Sequence, residues 1–458
     1  MFGCPAGIYD RAVSAPPADS LGRPVDVGPA GSGLPAVSAT APPGTAPSTV
    51  GTPATRAPSR LPYLLSTVGL ESMTAVTAPF LGRTLGAAPF ALAGVEAAGR
   101  AGSAAARYGR NQLADRQPGL RGFMDLAGSA GLALAAGFFA ASSALWQAGA
   151  CRAGSWAARG LGTPALEEHA SAAAPAHQLG RRLGFERSIG ALGAAVGALL
   201  VAVLLEVTDT RGVIGYALIP VALAVVVSIL GLRRGRADAP PPAPTQIKIT
   251  KLRGGPLGVL LLGIVCYEAS NIAVVLLLLR ASKIVSVSEA LPVVQRVALC
   301  YGLYQLSAAA CAVIAGRLTD RAAASLVLAA GGLSLLGAYI GLAWASAGDD
   351  AIVVLCLVLA GAAAGAVDTA EFTGVARLTS PDSRRAAFGV LAGLQSGGRV
   401  FATLTAGGLW TLIGPKAGLL VCGPLLVAAI VIFAVRVDRP TRTQRATAAA
   451  PGNPDPRP

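Results

Sequence analysis

The sequence predicts an all-α membrane protein of twelve transmembrane helices, arranged as two pseudo-symmetric six-helix bundles. Three observations predict it. The chain is short of charge and rich in long apolar runs, a polar stretch divides those runs six and six, and matching residues recur across the divide. Of 458 residues, 53% are hydrophobic and 13% charged, and the mean hydropathy is +0.60. Soluble domains carry about 25% charged residues. The deficit, with apolar runs of spanning length, points to a polytopic membrane protein.

Residues 1–60 are rich in Pro, Ala, Gly, Ser and Thr and hold no apolar run, so they cannot bury enough surface to offset ordering entropy. They read as a disordered tail without the apolar core of a signal peptide. The first bundle, 61–232, holds apolar runs at 61–80, 87–106, 122–142, 145–166, 183–205 and 213–232. The polar, Pro-rich stretch 233–255 reads as a flexible linker. The second bundle, 256–436, holds runs at 256–279, 293–315, 324–346, 351–375, 386–412 and 417–435, and 437–458 reads as a second tail. Each run exceeds the roughly 17 residues needed to cross the hydrocarbon core as a helix.

Orientation follows from the loops. If both termini are cytoplasmic, the inner loops 107–121, 167–182, 233–255, 316–323 and 376–385 hold 17 Lys and Arg, against five in the outer loops. Cytoplasmic loops carry this excess. Trp146, Trp344 and Trp410 fall at outer span ends, as in an interfacial aromatic belt. The same clustering explains the net charge of +14 without a nucleic-acid partner. Seven cysteines show no CxxC spacing and only two histidines are present, which argues against a zinc site or a disulfide framework. No metal and no cofactor is expected.

Four features recur in chain order across the linker. Glu71 and Arg83 match Glu268 and Arg280 at an offset of 197. Asn111 to Arg116 (NQLADR) matches Gly316 to Arg321 (GRLTDR) at 205. Arg181, Arg182 and Phe185 match Arg384, Arg385 and Phe388 at 203, and on that offset Glu168 meets Glu371. A nearly constant offset points to an internal repeat. Two similar bundles about an axis along the membrane normal make one known transporter architecture.

Over 61 to about 436 the chain resembles the major facilitator superfamily. The resemblance is carried by the GRLTDR string, whose Gly, Leu, Asp and Arg keep the core of the superfamily's loop signature, and by its partial first-half copy ending in Asp115-Arg116. The stretches Arg152 to Pro164, Gly184 to Arg187, Asp368 to Glu371 and Arg385 to Leu391 further resemble a poorly characterised bacterial subset. The resemblance implies that Asp115-Arg116 and Asp320-Arg321 are gate loops. It also implies that Asp115 faces Arg384 and Arg385, and Asp320 faces Arg181 and Arg182, each at a helix start of the opposite bundle. Gly184, Gly193 and Gly197 fit the spacing of the superfamily's antiporter motif, with Ala198 in place of its Pro.

Within the spans, Glu71 and Glu268 stand out. At about 1.5 Å per residue both lie about 15–18 Å deep, and an ionisable residue there is a functional-site hypothesis. They are candidates for proton coupling or substrate contact. Asn271, one turn from Glu268, points the same way. Arg280 is no partner for Glu268, being about 18 Å further along the helix and about 120° around it. Glu96 and Arg100 are spaced to neutralise each other at i,i+4. Arg152, Trp156 and Arg159 share one helical face; Arg152 is the deeper candidate for binding substrate, and Arg159 can snorkel to the interface. Asp368 and Glu371 share a face in the inner half, where Glu371 reads as a gate residue and Asp368 as a coupling candidate.

Together these readings predict a secondary transporter. It moves a small organic molecule across the cytoplasmic membrane by alternating access and works as a monomer. Proton-coupled efflux is the favoured direction, and proton-coupled uptake or a transport-dead sensor or scaffold are the alternatives. No GxxxxGK[ST] string is present, so no ATP-binding loop is evident. No nucleophile–base set suggests an enzyme.

Overall fold

A computed structural model describes residues 60–162, 178–233, 255–285, 292–380 and 383–435. The predicted tails, the linker and Glu168 fall outside them, as do the side chains of Arg83, Asp115 and Arg385. Among the described residues there are α-helices, one π-helical turn at Phe80–Thr84 and one 3-10 turn at Pro118–Leu120, without a strand.

In chain order the helices of the first half are α1 (Arg60–Pro79), α2 (Pro89–Arg116), α3 (Arg121–Ala141), α4 (Leu145–Gly162), α5 (Leu179–Leu204), α6 (Thr210–Tyr216) and α7 (Leu218–Arg233). Those of the second are α8 (Gly255–Glu268), α9 (Val274–Ile284), α10 (Val293–Arg321), α11 (Ala324–Trp344), α12 (Asp350–Arg377), α13 (Arg384–Leu412), α14 (Pro415–Leu420) and α15 (Gly423–Val435).

Eight stretches are helical, long and apolar enough to cross a bilayer: Leu61–Gly82, Gly122–Ala141, Leu179–Leu204, Thr210–Gly231, Val293–Arg321, Ala324–Trp344, Asp350–Arg377 and Pro415–Val435. The other four predicted runs correspond to α2, α4, the α8–α9 pair and α13. These four carry much of the polar centre of the molecule. Glu96 and Arg100 lie on α2, Arg152 and Arg159 on α4, Glu268 at the end of α8, and Gln395 and Arg399 on α13.

The run 256–279, expected as one helix, is broken. α8 stops at Glu268, and α9 begins at Val274. The freed backbone is satisfied by buried side chains. Tyr339 Oη accepts from Ile272 N–H at 2.9 Å and donates to Ser270 O at 3.0 Å, while Thr403 Oγ1 accepts from Ala273 N–H at 3.0 Å. Non-helical backbone at membrane depth is tolerated only where protein buries and pairs it, as α11 and α13 do here. A second departure concerns Trp410, which is 4% exposed and packed on Gly418, unlike the exposed Trp146 and Trp344.

Within the first half α1 packs on α5 and α7, α4 on α2 and α3, and α3 on α7; within the second, α12 packs on α10 and α11, and α15 on α8 and α11. The halves meet chiefly where α5 lies on α10 and α2 lies on α13. A six-helix repeat would exchange these two contacts with one another. Small residues permit the close approach. A Cβ on Gly184 would lie 2.3 Å from Ala312 O, one on Gly316 2.4 Å from Gly180 O, and one on Gly407 2.3 Å from Ala93 Cβ.

Candidate functional site

The second half contributes three carboxylates to one centre. Glu268 ends α8, and Asp368 and Glu371 lie on the same face of α12. One oxygen from each lies within 4.8 Å of the others. Such crowding of like charge needs a cation, and Arg399 of α13 supplies it. Its Nε donates to Glu268 Oε2 at 2.6 Å, and its Nη2 to Glu268 Oε1 at 2.7 Å and Asp368 Oδ1 at 2.7 Å. The guanidinium thus bridges two of the three acids, and its planar fork suits a bidentate grip on one carboxylate. Asn271 Nδ2 also donates to Glu268 Oε2 at 3.1 Å.

Local backbone chemistry brings these groups together. Because α8 unwinds after Glu268, α13 can press against the break. A Cβ on Gly398 would lie 2.6 Å from the carbonyl carbon of Glu268 and 2.8 Å from Ala269 N. Only glycine fits there, and Arg399 follows it.

Glu371, expected at an inner gate, instead joins this centre. Its Oε2 accepts from Gln395 Nε2 at 2.6 Å, while its Oε1 is buried without a hydrogen-bond partner among the described residues. Glu268 is fully buried, whereas Arg399 and Asp368 keep side-chain exposures of 20% and 24%. The centre is therefore sealed at the acid and open at its rim.

The first half carries a second polar layer. Arg152 is fully buried and donates to Glu96 Oε1 at 2.8 Å and Thr74 Oγ1 at 2.9 Å. This corrects the expected Glu96–Arg100 pair: the acid turns across to α4, because Arg152 is deeper and has no other carboxylate. Arg159, expected to reach the interface, points inward to Glu71, with Nη1 to Oε1 at 3.4 Å. Trp156 lies among three guanidiniums. Those of Arg100, Arg152 and Arg159 are 5.5, 5.5 and 5.8 Å from its ring centroid.

Two contacts join the layers across the halves. Tyr301 Oη of α10 donates to Glu71 Oε2 at 2.7 Å, and Arg187 of α5 approaches Asp368 at 3.9 Å. Glu71 and Glu268, matched by the repeat, therefore have unlike partners: Glu71 is bound to the facing half as well as its own, and Glu268 hydrogen-bonds within its own.

At the end where α2 leads to α3 and α10 to α11, Asp320 caps the start of α5. Its oxygens accept from the backbone N–H of Gly180 at 2.8 Å and of Arg181 at 2.9 Å. The aspartate and the helix start come together as the superfamily resemblance implies, but its ion pair is with Arg377 of its own half at 3.1 Å rather than with Arg181 or Arg182. Arg377 also donates to Thr319 O. Arg182 approaches Glu186 on its own helix at 3.9 Å, and Arg116 and Arg321 are exposed at the ends of α2 and α10. The Asp115 and Arg385 side chains lie outside the described residues, so their pairing has no structural counterpart to report; Arg384 begins α13.

At the opposite end the halves also touch. Gln295 Nε2 donates to Ala202 O at 2.8 Å and Glu206 Oε1 at 3.2 Å, and Phe90 N–H donates to Thr411 Oγ1 at 2.9 Å. Arg280 does not reach Glu268; it donates to the carbonyls of Leu342 at 3.0 Å and Ala345 at 2.7 Å. The glycines with antiporter spacing all serve packing: Gly184 on α10, and Gly193 and Gly197 on α1, where Ser72 Oγ donates to Gly197 O at 3.0 Å.

Sequence reasoning missed Arg399, Tyr301 and Gln395. Arg399 could have been found by the rule that singled out Glu268, since it too is a charge inside an apolar run.

Comparison with known proteins accords with this architecture. The family model described as Major Facilitator Superfamily matches residues 259–457. No curated protein matches the sequence. Among solved structures, the human organic anion transporter MFSD10 (TETRAN) is similar at 15% identity and a TM-score of 0.55, covering 81% of this chain and 98% of its own. A mutant of the nucleoside transporter NupG is similar at 13% identity and a TM-score of 0.61, covering 82% and 99%. At such identities the likeness is one of fold, over nearly the whole of each transporter. The second half of the chain thus matches the superfamily's family model, and the chain as a whole shares the fold of these two transporters.

Proposed function

We propose that the protein is a proton-coupled secondary transporter of a small organic molecule. It would work as a monomer in the cytoplasmic membrane by alternating access, with twelve spans and both termini cytoplasmic. The observation that carries the coupling is the convergence of Glu268, Asp368 and Glu371 on Arg399. Three carboxylates share little more than one cation's charge, so a proton gained or lost there changes how tightly α8, α12 and α13 are held together. Like charges at this separation cannot all be ionised without cost. Asp368 and Arg399 at the rim give a proton or a solute access to the buried acid.

Outward movement by antiport is the direction favoured. A solute donor and a proton would compete for the same carboxylates, which makes exchange the natural cycle, and the spacing of Gly184, Gly193 and Gly197 resembles that of superfamily antiporters. Rocking of the halves would make and break the Glu71–Tyr301, Arg187–Asp368 and Asp320–α5 contacts in turn, since each joins the two halves. Proton-coupled uptake is the second reading. The cationic surroundings of Trp156 favour it, because an anion bound there would strengthen rather than oppose protonation of the nearby acids.

Proteoliposomes containing a pH-sensitive dye test this. A screen of organic solutes should find one whose entry changes the internal pH, with alkalinisation indicating antiport and acidification indicating symport. Glu268→Gln should abolish the pH change. Solute movement without any pH change in the wild type would remove the proton coupling.

A further inference from the structure

We propose that Arg100, on α2, is the anion-binding group of the transport site, so that the transported molecule carries a carboxylate, phosphate or similar anionic group. This rests on the transporter reading above, in its second form of proton-coupled uptake, and names its substrate class.

Each other arginine of the first-half layer has an acid. Arg152 holds Glu96 at 2.8 Å and Arg159 holds Glu71 at 3.4 Å. Arg100 has none. Its sequence partner, Glu96, is taken by Arg152, and its Nε is buried without a hydrogen-bond partner among the described residues. Two further donors beside it are also buried and unpartnered, Nη1 of the fully buried Arg152 and Nε1 of Trp156. Both guanidiniums are centred 5.5 Å from the Trp156 ring. Around one indole there are thus three unanswered N–H groups among the described residues, and three guanidiniums share two ion-paired acids, Glu96 and Glu71.

Arg100 is half-buried, and holding its guanidinium away from water without a paired acid is costly unless something anionic joins it. Stacking on an indole recovers only part of that cost. Arg100 also faces the centre of the molecule, because Glu268, Arg399 and Tyr304 of the second half are its electrostatic neighbours. An anion there would meet both halves. The planar fork of Arg100 would take two of its oxygens, with the Arg152 and Trp156 N–H groups beside it. Arg152 itself, already held by Glu96 and Thr74, has only one donor left to offer.

The test uses the full chain in detergent with Trp146→Phe, Trp344→Phe and Trp410→Phe, leaving Trp156 as the single tryptophan. Its emission is titrated with acetate, benzoate and inorganic phosphate at constant ionic strength, and with the neutral acetamide and benzamide. At least one anion should give a saturable change, with its neutral analogue at least tenfold weaker. Arg100→Gln should raise the anion's half-saturation at least tenfold. Should the glutamine variant not fold, Arg100→Lys, which keeps the charge but loses the fork, should raise it at least threefold.

Failure of all three anions, equal binding of a neutral amide, or an unchanged half-saturation in the folded variant would overturn the assignment. Because binding is read without a membrane gradient, the two readings can fail separately. Arg100-dependent anion binding with no flux in proteoliposomes would overturn transport and keep the anion site. Flux with Arg100-independent binding would do the reverse.

Discussion

Arg399 grips Glu268 through two nitrogens at 2.6 and 2.7 Å and reaches Asp368 with one of them. The pairing predicts an asymmetry between its members. Arg399→Gln leaves three crowded carboxylates without their cation and should destabilise the protein by on the order of 2–4 kcal/mol, toward the lower part of the range for broken buried pairs because the arginine is partly exposed. Glu268→Gln leaves Arg399 with Asp368 and should cost on the order of 1–2 kcal/mol. Thermal unfolding in detergent ranks the two; equal melting temperatures would contradict the shared-cation geometry.

Gly398 should be nearly as sensitive as its neighbour. Its missing Cβ would sit 2.6 Å from the Glu268 carbonyl carbon, and backbone on both sides cannot give way. Gly398→Ala should push α13 off the α8–α9 break, at an overpacking cost of about 1–3 kcal/mol, and weaken transport with every charge in place. Gly397→Ala is the control, because a Cβ there meets nothing within 4 Å. Similar transport by both variants would mean that α13 does not need this close approach.

The acids inside the apolar runs were legible in the sequence because a carboxylate there is rare enough to read alone, and the repeat reinforced Glu71 and Glu268. Arg399 had no such echo: at the offset of 203 the first half holds Val196. The break after Glu268 left even less trace. Between Gly263 and Leu279 there is neither Gly nor Pro, so the unwinding is imposed by Tyr339 and Thr403, which are distant in the chain. The Glu96–Arg100 pairing was misjudged for the same reason. Spacing along α2 favours it, but Arg152 arrives from α4 and outcompetes the local partner.

At the α2–α3 end, Asp320 receives two backbone N–H groups of α5 and the Arg377 side chain. Asp320→Ala should remove on the order of 1–3 kcal/mol, and only from the state in which this end is closed. The balance should therefore shift toward opening by about fivefold to a hundredfold. A cysteine placed at Ala312, which is 1% exposed beside Gly184, reports the shift in a background lacking the native cysteines. Its labelling by a maleimide should accelerate in the Asp320→Ala protein, and an unchanged rate would show that the cap does not hold this end.

The Glu71–Tyr301 bond is a buried link between the halves, and its worth can be isolated. Tyr301→Phe removes the hydroxyl that donates to Glu71 Oε2 at 2.7 Å and leaves the ring to pack. It also takes the acceptor of Gln305 Nε2, 2.7 Å away, so the single variant overstates the bond. A double-mutant cycle with Glu71→Gln removes that surplus. A hydrogen bond to a charged acceptor contributes about 1.5–3 kcal/mol, and the coupling energy from thermal unfolding should fall in that range. If the cycle instead closes additively, Glu71 is held by Arg159 alone and the halves are not tied at this depth.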